Sequence, residues 1–89
     1  MTTTKTWHAE VFLYEEGEHT RADVLLRTDA GTEVRSTGLA RRNPSDREVP
    51  EIGDELAACR AFGELAHKLL EAATADVETN VGAAASLTE

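Results

Sequence analysis

The chain contains little cysteine, little proline and few aromatic residues. Its one cysteine, Cys59, excludes a disulfide within the chain and is typical of a reducing compartment. No apolar run approaches the roughly 20 residues that a membrane-spanning helix needs. The first six residues, MTTTKT, have no apolar segment like that of a signal peptide. These features predict a cytoplasmic protein with no membrane partner.

Basic residues are also scarce. Nine basic residues stand against 17 acidic ones in a chain of 89 residues, which gives a net charge of −8. Residues 1–47 carry seven basic and eight acidic groups, or −1, whereas residues 48–89 carry two and nine, or −7. This acidity disfavours non-specific nucleic-acid binding by the chain as a whole. The length predicts a single small domain, a class that is only marginally stable alone.

The second half of the chain contains the strongest structural signal. Apolar residues recur there at spacings of three and four and no proline interrupts them, which predicts one helix over residues 54–79. Pro50 is suited to a first helical turn, so an earlier start at Pro50 is an alternative. Asn80 or Gly82 would supply the left-handed residue that ends the helix.

The apolar arc of this helix is nearly twice the width of about 100° that one core-facing surface needs. Its centre, predicted to face the core, carries Phe62, Leu65, Ala66, Leu69 and Ala73. A second edge is covered either by loops or by another copy of the chain. We predict that another copy packs there, with a dimer interface at Leu56, Cys59, Gly63, Leu70 and Val77.

Three segments before the helix alternate apolar and polar residues, as half-buried strands do: residues 6–14, 20–28 and 32–42. Gly17 and the sequence Asp29-Ala30-Gly31 mark the turns between them. The predicted fold is therefore α+β, with a three-stranded antiparallel meander packed on one long C-terminal helix. The domain covers residues 6–79, with flexible ends at 1–5 and 80–89. The sheet face toward the helix would carry Val11, Leu13, Ala22, Val24, Leu26 and Val34.

The other sheet face mixes apolar and basic side chains. Phe12, Tyr14, Leu25 and Leu39 would lie there among arginines, an arrangement typical of an interface. Two interpretations remain open: a solvated face with Glu10, Asp23 and Glu33 as ionic partners, or a surface for RNA phosphates and bases. Arg41 and Arg42, beside Asn43-Pro44, form the best local anion site. The candidate RNA or anion-binding residues are Arg21, Arg27, Arg35, Arg41 and Arg42.

The sequence contains no pattern of a catalytic or metal site. Cys59 lies on the apolar arc, where a buried small hydrophobic residue is a better interpretation than a nucleophile. The three histidines lack the paired spacing of metal ligands. There is no glycine-rich phosphate loop or nucleophile elbow. We predict a protein that is not an enzyme and that uses no metal or cofactor.

Two stretches carry a family resemblance: STGLARRNPSD at residues 36–46 and VPEIGDELAACRAFGELAHKLL at residues 49–70. They resemble a family of small actinobacterial proteins of unknown function, and the resemblance covers about residues 7–77. It implies a fold like that of double-stranded-RNA-binding domains, a dimer, and a likeness in shape to ribosome hibernation-promoting factors. No catalytic residues are assigned to that family.

Together these features predict a non-enzymatic homodimeric binding protein, a stress or dormancy factor acting at the ribosome through rRNA or protein. The alternatives are an adaptor that binds another protein through the exposed sheet face, and a structural protein with no RNA contact.

Overall fold

The computed structural model describes residues 1–43 and 49–81. Its elements are β1 (His8–Glu16), β2 (His19–Arg27), β3 (Glu33–Arg41) and α1 (Pro50–Val81). The strands form one antiparallel sheet in the order β1-β2-β3, which confirms the predicted α+β fold. The helix takes the earlier of the two predicted starts. Asn80 lies within the helix and so does not cap it, while Gly82 lies outside the described residues.

Glycine shapes both turns of the meander. Gly17 has a φ of 59° and starts the two-residue turn between β1 and β2, which suits the right-handed twist of a hairpin. Gly31 has a φ of 83°, and its N–H donates to the carbonyl oxygen of Thr28 at 3.1 Å. Both residues occupy a region of φ that side chains with a Cβ atom rarely adopt.

The core is built from small side chains where sheet and helix meet. Its larger side chains are Val24, Leu65 and Leu26, which are 1%, 5% and 7% exposed, and alanines fill most of the rest. The helix contributes Ala57, Ala61 and Leu65, with Leu69 packed against them. The predicted helix face is therefore partly wrong, because Phe62, Ala66 and Ala73 are exposed. The buried residues of the sheet are Thr20, Ala22, Val24, Leu26, Ser36, Gly38 and Ala40.

Small helix residues face the sheet because the helix backbone contacts Gly38 directly. A Cβ atom added to Gly38 would overlap the carbonyl oxygen of Ala57 and the backbone nitrogen of Ala61. Only a glycine in the strand, with small residues above it, permits so close an approach. Ser36 strengthens the contact, since its hydroxyl donates to the carbonyl oxygen of Ala61 at 2.8 Å.

This contact holds α1 over β3 and β2, and α1 meets β1 only at its margin. Val11 and Leu13 lie on the helix-facing side of β1, opposite Val24 and Ala22 of β2. They nevertheless stay 39% and 44% exposed, so the prediction that the helix covers them is wrong. Within the described residues, no helix is long and apolar enough to cross a bilayer.

Gly38→Ala should lower the free energy of unfolding by about 1–3 kcal/mol, because the added methyl group forces the helix backbone off the sheet. Urea denaturation measures the loss. The matched control is Gly63→Ala, a helical glycine with no atom within 4 Å of the added Cβ. That variant should gain about 0.5–1 kcal/mol from helix propensity. Equal effects of the two substitutions would contradict the close-contact account.

Candidate binding surface

The sheet surface opposite the helix is the candidate site, and we call it the open face. Cross-strand neighbours in register share a face of a sheet, so the two registers define its members. It consists of His8, Glu10, Phe12, Tyr14 and Glu16 from β1, His19, Arg21, Asp23, Leu25 and Arg27 from β2, and Glu33, Arg35, Thr37, Leu39 and Arg41 from β3.

Large apolar side chains on the open face are accessible. Phe12 is 43% exposed, Tyr14 49% and Leu39 62%. Leu25, at the centre of the sheet, is half-buried. Phe12, Tyr14 and Leu25 border a shallow depression of about 390 Å³, which also reaches Arg35. Exposed aromatic groups around a depression are typical of protein-binding surfaces.

The arginines of the open face are held by neighbouring groups. The guanidinium of Arg21 lies 4.5 Å from the ring centroid of Tyr14, within the range of a cation–π contact. The same guanidinium lies 3.4 Å from a carboxylate oxygen of Asp23. Arg21 therefore restricts the motion of the Tyr14 ring, and the carboxylate of Asp23 balances its positive charge.

Glu33 connects the two arginines at the other end of the sheet. Its carboxylate lies 2.9 Å from Nε of Arg27 and 3.9 Å from Nη2 of Arg35. Arg27 also reaches Glu10 at 3.3 Å. The hydrogen bond with Arg27 holds the pKa of Glu33 below its usual value, and the same bond raises the pKa of Arg27. These are the acidic partners expected of a solvated face.

Charge is therefore balanced on the open face. Its four arginines stand against four carboxylates, those of Glu10, Glu16, Asp23 and Glu33. The surface is nearly neutral although the chain carries −8. A neutral mixture of arginine, carboxylate and aromatic groups suits a protein surface better than a phosphate backbone, which needs uncompensated cations.

Arg41, at one end of the open face, also borders a second site together with Arg42. Arg41 lies 3.9 Å from Glu18, and Nη1 of Arg42 donates to the carbonyl oxygen of Asn43 at 3.5 Å. Both line a cavity of about 350 Å³ between the β1–β2 turn, the end of β3 and the first turn of α1. Glu15 and Glu18 line it too, so its charge is mixed. Pro44, part of the predicted anion site, lies outside the described residues.

The sequence did not reveal this cavity. Its apolar wall includes Ile52 and Leu56, which are 54% and 46% exposed. Sequence reasoning placed Leu56 on the second apolar edge of the helix, and that was the available signal. The cavity depends on where the turn of a hairpin meets the start of a helix, and periodicity does not show that.

The predicted dimer residues lie on the outer side of α1. Leu56 and Cys59 are exposed, Gly63 meets open space, and Leu70 and Val77 are half-buried. The expectation that Cys59 is buried is wrong, because the helix turns its alanines rather than this side chain toward Gly38.

The histidines and carboxylates form no evident reaction centre in the described ranges. Nε2 of His67 lies 2.9 Å from a carboxylate oxygen of Glu71 on the same exposed helix surface. Across residues 1–43 and 49–81, no three His, Cys, Asp or Glu side chains lie close enough together to hold a metal ion.

Trp7, the residue before β1, forms a side-chain hydrogen bond with the turn between β2 and β3. Its indole Nε1–H donates to Oδ1 of Asp29 at 2.8 Å. This hydrogen bond is the main reason that the pKa of Asp29 lies below its usual value, and Lys5, 3.8 Å from the same carboxylate, contributes to the shift.

A family model, several known proteins and a solved structure are similar to this chain. A family model described as Rv2632c-like matches residues 5–86. The uncharacterized protein Mb1767 of Mycobacterium bovis is 43% identical over 72 residues, which are 81% of this chain and 76% of that protein. The uncharacterized protein Rv2632c of Mycobacterium tuberculosis is 41% identical over 76 residues, 85% and 81% of the two chains. The crystal structure of Rv2632c superposes with a TM-score of 0.81 at 39% identity, covering 89% of this chain and 93% of that one.

The fluorescence of Trp7, the single tryptophan, should titrate with Asp29. The carboxylate accepts the indole hydrogen bond when ionised, so its stabilising contribution is present above the ordinary pKa and is lost as pH falls through the lowered value. The fluorescence midpoint should lie below about 3.9, the usual pKa of aspartate. Asp29→Asn should abolish the transition, whereas Asp76→Asn, on the exposed helix surface, should leave it. A midpoint at or above the ordinary value would contradict the assignment.

Proposed function

The chain belongs to the Rv2632c-like family, and we propose that it is a non-enzymatic, cytoplasmic homodimer that works by binding another protein through its open face. The observation that carries the proposal is the exposure of Phe12, Tyr14 and Leu39 among arginines that already have carboxylate partners. This interpretation makes the chain an adaptor, with no metal or cofactor involved.

The chemistry of the open face supports a protein partner. Tyrosine, phenylalanine and arginine are enriched in the cores of protein interfaces, where they bury much area and form directional contacts. Arg21 holds the Tyr14 ring in place, so less side-chain entropy is lost when a partner binds. The depression of about 390 Å³ beside that ring has room for a side chain of the partner.

Tyr14→Ala and Leu39→Ala should each weaken capture of the protein partner by at least tenfold, because each removes an exposed apolar contact. Affinity capture from a nuclease-treated lysate of the source organism, followed by titration of the captured protein, measures this. The control is Ile52→Ala, an equally exposed apolar residue at the start of the helix. Equal losses in all three variants, or capture that nuclease abolishes, would count against the adaptor.

The ribosome is the second candidate partner, with a role in stress or dormancy. Four arginines share a sheet face with Phe12 and Tyr14, and basic groups among aromatics can hold RNA. The resemblance to a double-stranded-RNA-binding fold and to hibernation factors supports this candidate by analogy. The helix, which carries seven carboxylates and two basic groups, would have to face away from the RNA.

If rRNA is the ligand, co-sedimentation with ribosomes should fall steeply as salt rises from 50 to 200 mM, since phosphate contacts release counterions. Arg35→Glu and Arg41→Glu should each abolish it, because both side chains are well exposed on the open face. Lys5→Glu makes the same charge change at an exposed site away from that face and should have little effect. Association that is independent of salt would exclude the RNA interpretation and leave the adaptor.

A further inference from the structure

The free edge of β1 is unusually open. All nine of its residues are exposed, and among the described residues it pairs with β2 alone. The two-residue turn makes Glu16 and His19 a hydrogen-bonded pair, so alternation directs the N–H and C=O groups of Ala9, Val11 and Leu13 away from β2. No hydrogen bond reaches these groups from any other described residue. An unpaired row of this kind is a template for another strand.

The opposite edge of the sheet, formed by β3, is covered by side chains of the helix. Nη1 of Arg60 donates to the carbonyl oxygen of Leu39 at 2.6 Å, and Nζ of Lys68 donates to that of Arg35 at 2.6 Å. Two cations from the helix thus cap outward carbonyls of β3. Covering an edge with charged side chains blocks strand addition. The fold protects the β3 edge in this way and leaves the β1 edge accessible.

An apolar strip runs beside the open edge. Val11 and Leu13 are uncovered because α1 lies over β2 and β3. On the helix, Phe62 lies roughly 200° around the axis from Arg60 at 100° per residue. Because Arg60 reaches the β3 edge, Phe62 lies on the flank toward β1, where it is 44% exposed. We call Val11, Leu13 and Phe62 the β1 strip.

We propose that a second copy of this chain binds the β1 edge, so that two β1 strands pair antiparallel and join the two sheets into one of six strands. The two-fold axis stands perpendicular to the sheet, both helices lie on one face, and the two β1 strips meet between them. This proposal rests on the homodimer proposed above and names its surface.

The sequence of β1 is complementary to itself in one register. The nine-residue strand is centred on Phe12, so full overlap sets Phe12 opposite Phe12 of the second copy. His8 then lies opposite Glu16 of the second copy, and Glu10 opposite Tyr14 of the second copy. On the helix side, Val11 meets Leu13 of the second copy. In this register apolar groups meet each other and no two carboxylates are opposed, and both features stabilise cross-strand neighbours.

Other registers are poorer. A shift of one residue would turn the apolar groups of one copy to the wrong face. A shift of two toward the C-terminus sets Glu10 opposite Glu16, which brings two like charges together. A shift of two toward the N-terminus sets residues 15 and 16 of each copy beyond the end of the partner strand, so that seven of the nine positions pair.

A dimer interface on the outer side of the helix fits the structure less well than pairing at β1. A contact through Leu56, Cys59 and Gly63 would leave the β1 edge unpaired and the β1 strip in water. With strands about 4.8 Å apart, pairing at β1 instead places the two helix axes roughly 20 Å apart. The Cys59 thiols of the two copies are then too far apart to form a disulfide.

Disulfide crosslinking tests the register directly. Phe12→Cys in a Cys59→Ser background should form a covalent dimer under mild oxidation at least tenfold faster than Leu39→Cys in the same background. Residues facing each other in a non-hydrogen-bonded antiparallel pair have Cα atoms about 4.5 Å apart, within reach of a disulfide. Leu39 is even more exposed than Phe12, so simple accessibility favours the control. Equal rates would overturn the proposal.

Mass measurement by light scattering separates the possible failures. The unmodified chain should be a dimer, and Leu13→Lys should make it monomeric while the circular dichroism stays unchanged, since Leu13 is already half exposed. A monomer at every concentration of the unmodified chain would overturn both this surface and the proposed homodimer. A dimer that crosslinks through Cys59, but not through Phe12→Cys, would overturn this surface alone and return the interface to the outer side of the helix.

Discussion

The close approach of α1 to Gly38 is the constraint on which the rest of the structure depends. Because no Cβ atom separates strand and helix there, the backbones at Ala57 and Ala61 rest directly on β3. Ser36 adds a buried hydrogen bond at the same place. Dispersion and burial at short range favour such a contact, but they fix the helix over one side of a three-stranded sheet. A helix fixed over β3 is not free to cover β1.

The two edges of the sheet differ for this reason. On the near side, Arg60 and Lys68 are close enough to donate hydrogen bonds to β3 carbonyls. On the far side, Val11 and Leu13 belong to the core-facing surface of the sheet but have no helix above them. A domain of this size has little apolar area to spare for stability. An assembly that uses the exposed strip of β1 would recover some of that area.

The open face and the β1 edge are separate surfaces with different chemistry. The edge offers backbone hydrogen bonds and aliphatic groups, which suit an identical strand. The open face offers Tyr14 under Arg21, exposed Leu39 and a network of ion pairs around Glu33. These ion pairs are solvent-exposed, so they contribute more to the choice of partner and to orientation than to stability. A dimer joined at the edge would double the open face and make binding bivalent.

The sequence by itself determined the element order, the alternation that places Phe12 and the arginines on one sheet face, and the presence of one long C-terminal helix, because these follow from local periodicity and turn chemistry. It left open whether that helix begins at Pro50 or four residues later. It does not show what Gly38 touches. Only the tertiary structure decided which helix face is buried: periodicity favoured the bulky Phe62, whereas contact with a glycine selects small residues such as Ala57. The pairing of each arginine and the exposure of β1 likewise depend on register and on helix position, which arise from contacts between residues distant in the chain.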